Sequence, residues 1–188
     1  QNTTASSVQE AVTPVYGWAN ASTPKGDKAL QYSDLKSLAP QKDTREATSE
    51  LVIRLGGTME RYLWTINGKK FSDAEPLKVK YGERIRIKFI NDSMMAHPMH
   101  LHGFQFRVLR RQGTFGPARA LATQSDGRLP SDLGFKDTVA IWPNETVWLE
   151  TDFSLPSDDS FKARQRYMFH CHNLEHEDGM MMRNVTLA

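Results

Sequence analysis

The sequence predicts an all-β chain, a Greek-key barrel or sandwich preceded by an irregular N-terminal arm. Three observations lead there. Short apolar segments recur at close spacing between Gly, Pro and Asn-Gly turn signals. One segment alternates strictly: Arg84, Arg86 and Lys88 face one way, Ile85, Ile87 and Phe89 the other, as in a half-buried strand. Sustained helical periodicity is scarce.

The elements follow in order. Residues 1–48 are rich in Ala, Thr and Ser, with scattered apolar residues and no sustained period. They read as a linker or docking arm, with Tyr16, Trp18 and Tyr32 as anchors. Ser33 to Leu38 offers one helical turn, stopped by Pro40. The chain opens on Gln1 without an initiator Met or a signal-peptide pattern, so a mature or cut product is expected. Residues 49–188 carry the β pattern. A strand over Glu50 to Leu55 is expected to stop at Gly56-Gly57. One over Arg61 to Ile66 stops at Asn67-Gly68, a hairpin-type turn. Pro76 to Lys80 and Arg84 to Ile90 follow, then segments at 104–109, 137–142, 146–153, 166–171 and 181–187. Residues 110–135 form a long connection, read either as a solvated loop or as a border to a substrate edge through Arg110, Arg111, Arg119 and Arg128.

Composition removes several function classes. The 188 residues suit one domain with tails. Lys+Arg 24 against Asp+Glu 22 gives a net charge of +2, too little to indicate a nucleic-acid partner. No apolar run approaches the ~20 residues of a membrane span. A single cysteine, Cys171, excludes an internal disulfide framework and any CxxC metal site.

The six histidines and that cysteine all fall in two short windows, His97-Pro98-Met99-His100-Leu101-His102-Gly103 and His170-Cys171-His172-Asn173-Leu174-Glu175-His176-Glu177-Asp178-Gly179-Met180-Met181-Met182. In an extended segment, residues i and i+2 share a face and i+1 points away. His170 and His172 therefore face one side and Cys171 the other, and His100 and His102 share a side. This predicts two sites, back to back. One collects His100, His102, His170 and His172, a nitrogen-donor site suited to copper, zinc, iron or nickel. The other collects Cys171, His97 and His176. A bend is expected at His97 because Pro98 follows it, and five residues leave room for a turn returning His176 to the cysteine. Met180, Met181 and Met182 come next. Two imidazoles, a thiolate and a weak axial thioether form the trigonal blue-copper set. Zinc also fits the donors chemically. A buried core cysteine, or a Cys–His hydrolytic pair, leaves most of the histidines unexplained.

These motifs, HPMHLHG and HCHNLEHEDGMMM, resemble the last domain of a multicopper oxidase. YSDLKSL and TMERYLWTINGKKFSDAEPLKVKYGERIRIKFIND resemble the bacterial copper-resistance branch (CopA/PcoA type). GFKDTVAIWPNETVWLETDF resembles the laccase and bilirubin-oxidase branch. The resemblance covers roughly residues 30–188. It implies a cupredoxin-like fold, an eight-stranded Greek-key β-barrel. It also implies roles: His97, Cys171, His176 and axial Met181, with Met180 as substitute, for type 1 copper; His100 for type 2 copper; His102, His170 and His172 for type 3 copper; Glu177 as a proton relay or else a surface carboxylate. A small reductant, phenolic or a metal ion, would give electrons at the exposed edge of His176 or His97. These would pass through His170-Cys171-His172 to a trinuclear cluster that reduces O2 to water.

One departure is large. The family's trinuclear cluster takes eight histidines, and this chain offers four. The expected solution is a partner, an N-terminal oxidase segment or chain bearing two His-x-His motifs. Alternatives are a homo-oligomer that completes the cluster across an interface and a standalone type 1 copper electron carrier. The resemblance implies a periplasmic or secreted location.

Overall fold

In a computed structural model the described residues are 24–30, 34, 35, 38, 45–113, 128, 129, 132–154 and 166–187. Eleven strands are seen among them, with one short α-helix and one 3-10 turn. In chain order these are β1 (Ser49–Thr58), β2 (Leu63–Ile66), the 3-10 turn Phe71–Asp73, β3 (Leu77–Val79), β4 (Arg84–Asn91), β5 (His97–Leu101), β6 (Phe106–Gly113), β7 (Phe135–Lys136), β8 (Thr138–Ile141), β9 (Glu145–Asp152), β10 (Arg166–Cys171), α1 (Leu174–Asp178) and β11 (Met182–Leu187). The all-β expectation holds. Tyr16, Trp18, Tyr32 and half of the turn expected over Ser33 to Leu38 lie outside the described residues.

The strands form two sheets. The first runs β2-β1-β4-β9-β6-β7 and the second β3-β11-β10-β5-β8. Pairing is antiparallel except for β1 with β4 and β11 with β3. The inner faces meet in one apolar core. Ile85, Ile87 and Phe89 of β4 enter it from one sheet, and Met99, Leu101, Phe169 and Cys171 from the other. Each large side chain buried there contributes about 1.5–3 kcal/mol. Phe89 and Phe169 stack across the sheets at 5.4 Å between ring centroids. Among the described residues, no helix is long and apolar enough to cross a membrane.

Three local expectations are corrected. First, β1 does not stop at Gly56-Gly57 but runs through both to Thr58. Gly57 pairs with Trp64, and a Cβ on it would sit 2.3 Å from the indole, so glycine here makes room for a side chain rather than a turn. The Asn67-Gly68 turn does form, with both residues at positive φ. Second, Pro98 does not bend the chain. It lies within β5 at the end of the ladder to β10, so its missing N–H terminates that ladder and does not interrupt it. Its carbonyl accepts from the His172 N–H at 2.6 Å. Third, the long connection is shorter than 110–135. β6 continues to Gly113, carrying Arg110 over the Trp148 ring and burying Arg111 in an ion pair with Asp132. These two arginines thus sit on a strand of the first sheet and not in a loop; Arg119 lies outside the described residues.

Candidate metal centre

Strand alternation places the two histidine windows. In β5, His97, Met99 and Leu101 point into the core and His100 points out. His100 comes three positions after His97, an odd step, so the pleat alone puts them on opposite faces. β10 pairs with β5 in the register His170↔His100 and Cys171↔Met99. Cys171 therefore faces inward beside His97, and His170 faces outward beside His100.

His176 reaches Cys171 by a closed backbone loop. Asn173 caps α1, its side chain accepting from the Glu175 N–H. The Met181 N–H donates to the His176 carbonyl at 2.9 Å, and the Cys171 N–H donates to the Met181 carbonyl at 3.1 Å. The spacing Cys171, His176, Met181 is the length of this loop. His176 is the buried residue of α1.

On the inner side, the Nδ1 atoms of His97 and His176 are 3.0 Å apart. Cys171 Sγ lies 3.7 Å from the first and 3.5 Å from the second. A triangle of that size has its centre about 2 Å from each corner, close to the bond lengths by which nitrogen and sulfur hold a transition metal. The donors fit a metal ion. His97, Cys171 and His176 are fully buried. Burial, and then the neighbouring His176, pushes the His97 imidazole down to about 3, and burial pushes the Cys171 thiol up to about 11. Burial also lowers His176. Neutral imidazoles are ready ligands, and a metal would take the place of the thiol proton. Met181 is buried beside this group, whereas Met180 is exposed and at φ 64°.

On the outer side four imidazoles converge. His102 Nε2 is 3.0 Å from His170 Nε2. The His100 ring lies 4.7 Å from His102, 5.5 Å from His170 and 5.3 Å from His172, and His170 and His172 are 5.0 Å apart. Ligand atoms of His100, His102 and His170 fall within 4.8 Å of one another. Backbone carbonyls set two tautomers, because a carbonyl only accepts. His100 Nδ1–H donates to Asp137 O at 2.9 Å, and His170 Nδ1–H to Cys171 O at 3.1 Å. Their Nε2 atoms are left for a ligand. Glu177 stands 3.5 Å from His170 Nδ1.

His97, Cys171 and His176 thus gather on one side, and the rings of His100, His102, His170 and His172 on the other. The expected exposed histidine edge does not occur, since both His97 and His176 are 0% exposed. Their cover was not foreseen. The Trp64 ring lies 4.1 Å from His176 and 5.2 Å from His97. Tyr62 packs on Trp64 and donates to the Glu175 carboxylate. Ser93 Oγ contacts His97 Nε2 at 2.6 Å. In sequence these are an ordinary strand tryptophan and a polar turn residue, with no spacing that marks them.

The multicopper oxidase family model matches residues 44–188. The chain is 36% identical over 162 residues to copper resistance protein A of Escherichia coli, covering 86% of this chain and 23% of that protein. It is 33% identical over 149 residues to the laccase of Bacillus subtilis, covering 72% and 27%. The crystal structure of McoA multicopper oxidase from Aquifex aeolicus superposes with a TM-score of 0.61 at 34% identity, covering 81% of this chain and 32% of that one. The chain therefore spans about a quarter of the length of such curated relatives. The family match, these relatives and the cupredoxin-like pair of sheets agree, and the chain belongs to the multicopper oxidase family.

Proposed function

We propose that this chain is the C-terminal, copper-binding part of a multicopper oxidase. Such an oxidoreductase takes single electrons from a small reductant and reduces O2 to water. The observation that carries the reading is the meeting of Cys171 Sγ with two histidine Nδ1 atoms on one face of β10 while the flanking histidines meet on the other.

His97, Cys171 and His176 would hold type 1 copper, with Met181 as the further sulfur ligand; burial favours Met181 over exposed Met180. His100 serves type 2 copper, and His102, His170 and His172 serve type 3 copper. Copper, when bound, would supply reversible one-electron chemistry at the first site and, with the missing histidines, O2 reduction at the second. The chain supplies the rest. Cys171 is bonded through one peptide unit to His170 and through another to His172, so a short covalent path joins the two sites. Glu177 holds and passes protons at its carboxylate beside His170. The reductant, a phenol or a metal ion, delivers its electron on the His176 side, since the outer nitrogen of His97 is occupied by Ser93.

All six histidines are assigned, so four more must come from a segment or chain bearing two His-x-His motifs. Residues 1–48 act as a linker or docking arm ahead of the copper domain at 49–188. The location proposed is periplasmic or secreted. The test is Cys171→Ser. Loss of the intense thiolate-to-copper absorption is expected, with the four-histidine site still able to bind metal. Unchanged colour would refute the type 1 assignment.

A further inference from the structure

We infer that Ser93 and Asn91 are positioning residues that set the tautomer of His97 and so aim its Nδ1 lone pair at Cys171 and His176. The inference rests on the reading of His97 as a metal ligand and deepens it.

The assignment follows from which groups can donate. Asn91 is 1% exposed and Ser93 3%. The Asn91 amide cannot be flipped. Its Nδ2 lies 2.8 Å from Met95 O and 3.0 Å from Ile141 O, both carbonyls that only accept. Its Oδ1 accepts from the Ser93 backbone N–H at 2.9 Å, a group that only donates. The same Oδ1 is 2.7 Å from Ser93 Oγ, and Met95 O is 3.2 Å from it. Both neighbours are acceptors, so the single hydroxyl hydrogen of Ser93 is committed to them, and the nearer one is Asn91. At 2.6 Å, His97 Nε2 then faces an oxygen lone pair and must carry the ring hydrogen itself. A neutral imidazole has one hydrogen, so Nδ1 is bare. It points where Cys171 Sγ and His176 Nδ1 converge.

The relay also joins the two sheets at the site. Asn91 ends β4 of the first sheet, Ile141 ends β8 of the second, and β8 pairs with β5 as Ile141↔His97. The orientation of His97 is thus tied to the closure of the sandwich. His176 shows the contrast: its Nε2 is buried with no hydrogen-bond partner among the described residues. Of the two inward-facing histidines, one is clamped from behind and the other is not.

The experiment is nitrogen-detected NMR of the metal-free protein labelled with 15N at histidine. His97 is expected as the Nε2–H tautomer in the unaltered protein; the Nδ1–H tautomer there would overturn the inference without any variant. In Ser93→Ala the ring is expected to shift towards a tautomer mixture, metal affinity at the cysteine site to fall roughly 10–100-fold, and the reduction potential of the copper-loaded site to move. Ser93→Thr, which keeps the hydroxyl, is expected to restore all three. An unchanged tautomer and affinity in Ser93→Ala would overturn the inference while the unaltered protein still shows its thiolate-to-copper band. Absence of that band in the unaltered protein would instead refute the copper reading.

Discussion

The Trp64 ring lies against the His176 ring at 4.1 Å, tilted by 36°, and shuts that histidine from solvent. The contact depends on Gly57, the residue opposite Trp64 in β1, because a Cβ there would overlap the indole. Trp64→Ala is expected to cost about 3–5 kcal/mol of folding stability, as large-to-small changes of buried aromatics do. It should also admit solvent to His176. Chemical denaturation measures the first, and the rate at which a small external donor reduces the copper-loaded site measures the second. A faster reduction is expected; an unchanged rate would show that the indole does not cover the entry point. Gly57→Ala should reproduce part of both effects.

The metal-free protein should be sensitive to acid through His97, whose folded pKa is about 3 against an ordinary 6.5. Between those values the unfolded chain takes up a proton that the folded one refuses. Stability is therefore full above pH 6.5 and declines as the pH falls towards 3, by on the order of a few kcal/mol. Cys171 acts at the other end. Its thiol is raised to about 11 from 9.0, so its contribution is full below pH 9 and lost as the pH rises through 11. Urea unfolding at a series of pH values checks both. The acid-side decline should be shallower in His97→Asn, and an equal slope would show that His97 is not its source. Metal uptake at neutral pH should release the thiol proton, measurable with a pH indicator.

Much of this was legible because it follows from the strand period. The opposite facing of Cys171 and His170 is a pleat of two residues, and so is the strand alternation of Arg84 to Ile90. Gly56-Gly57 and Pro98 misled because their local meanings are turn and bend, whereas here a neighbouring side chain or the end of a ladder decides. Gly57 makes room for an indole seven residues away, and Pro98 sits at the end of the ladder to β10. Asn91 and Ser93 were invisible for a different reason. Short polar residues between strands read as a turn, and only the meeting of β4 with β8 turns them into a buried relay.

Gly103 should prove essential to the outer site. Its φ is 77°, and a Cβ would lie 2.6 Å from the Tyr167 ring. It follows His102, whose N–H donates to Met168 O at 3.0 Å. Gly103→Ala must push against the ring in a conformation that L residues seldom adopt, costing about 1–3 kcal/mol. The adjoining His102 should swing away from His170, now 3.0 Å distant. Metal counting on the assembled protein should show loss at the four-histidine face with the thiolate absorption kept. Loss of both in equal measure would mean that the strain spreads through β10.

The buried triad of Arg111, Asp132 and Glu145 supports the inner site from the far side of β8. Arg111 grips Asp132 with two bonds of 2.6 and 2.8 Å, reaches Glu145 at 3.1 Å and donates to Ala140 O at 3.0 Å. Ala140 pairs with Pro98, next to His97. All three charged side chains are nearly fully buried. Removing the cation strands two carboxylates, so Arg111→Met should cost about 3–5 kcal/mol. Asp132→Asn keeps the shape and leaves Arg111 paired with Glu145, so a smaller loss is expected. Replacing Arg111 and both acids together by apolar residues of like volume should recover much of the loss, because the desolvation penalty disappears with the charges. Denaturant unfolding of the three variants orders them. If Asp132→Asn proved as damaging as Arg111→Met, the two-pronged Arg111–Asp132 pair, and not the stranded charge, would hold most of the stability.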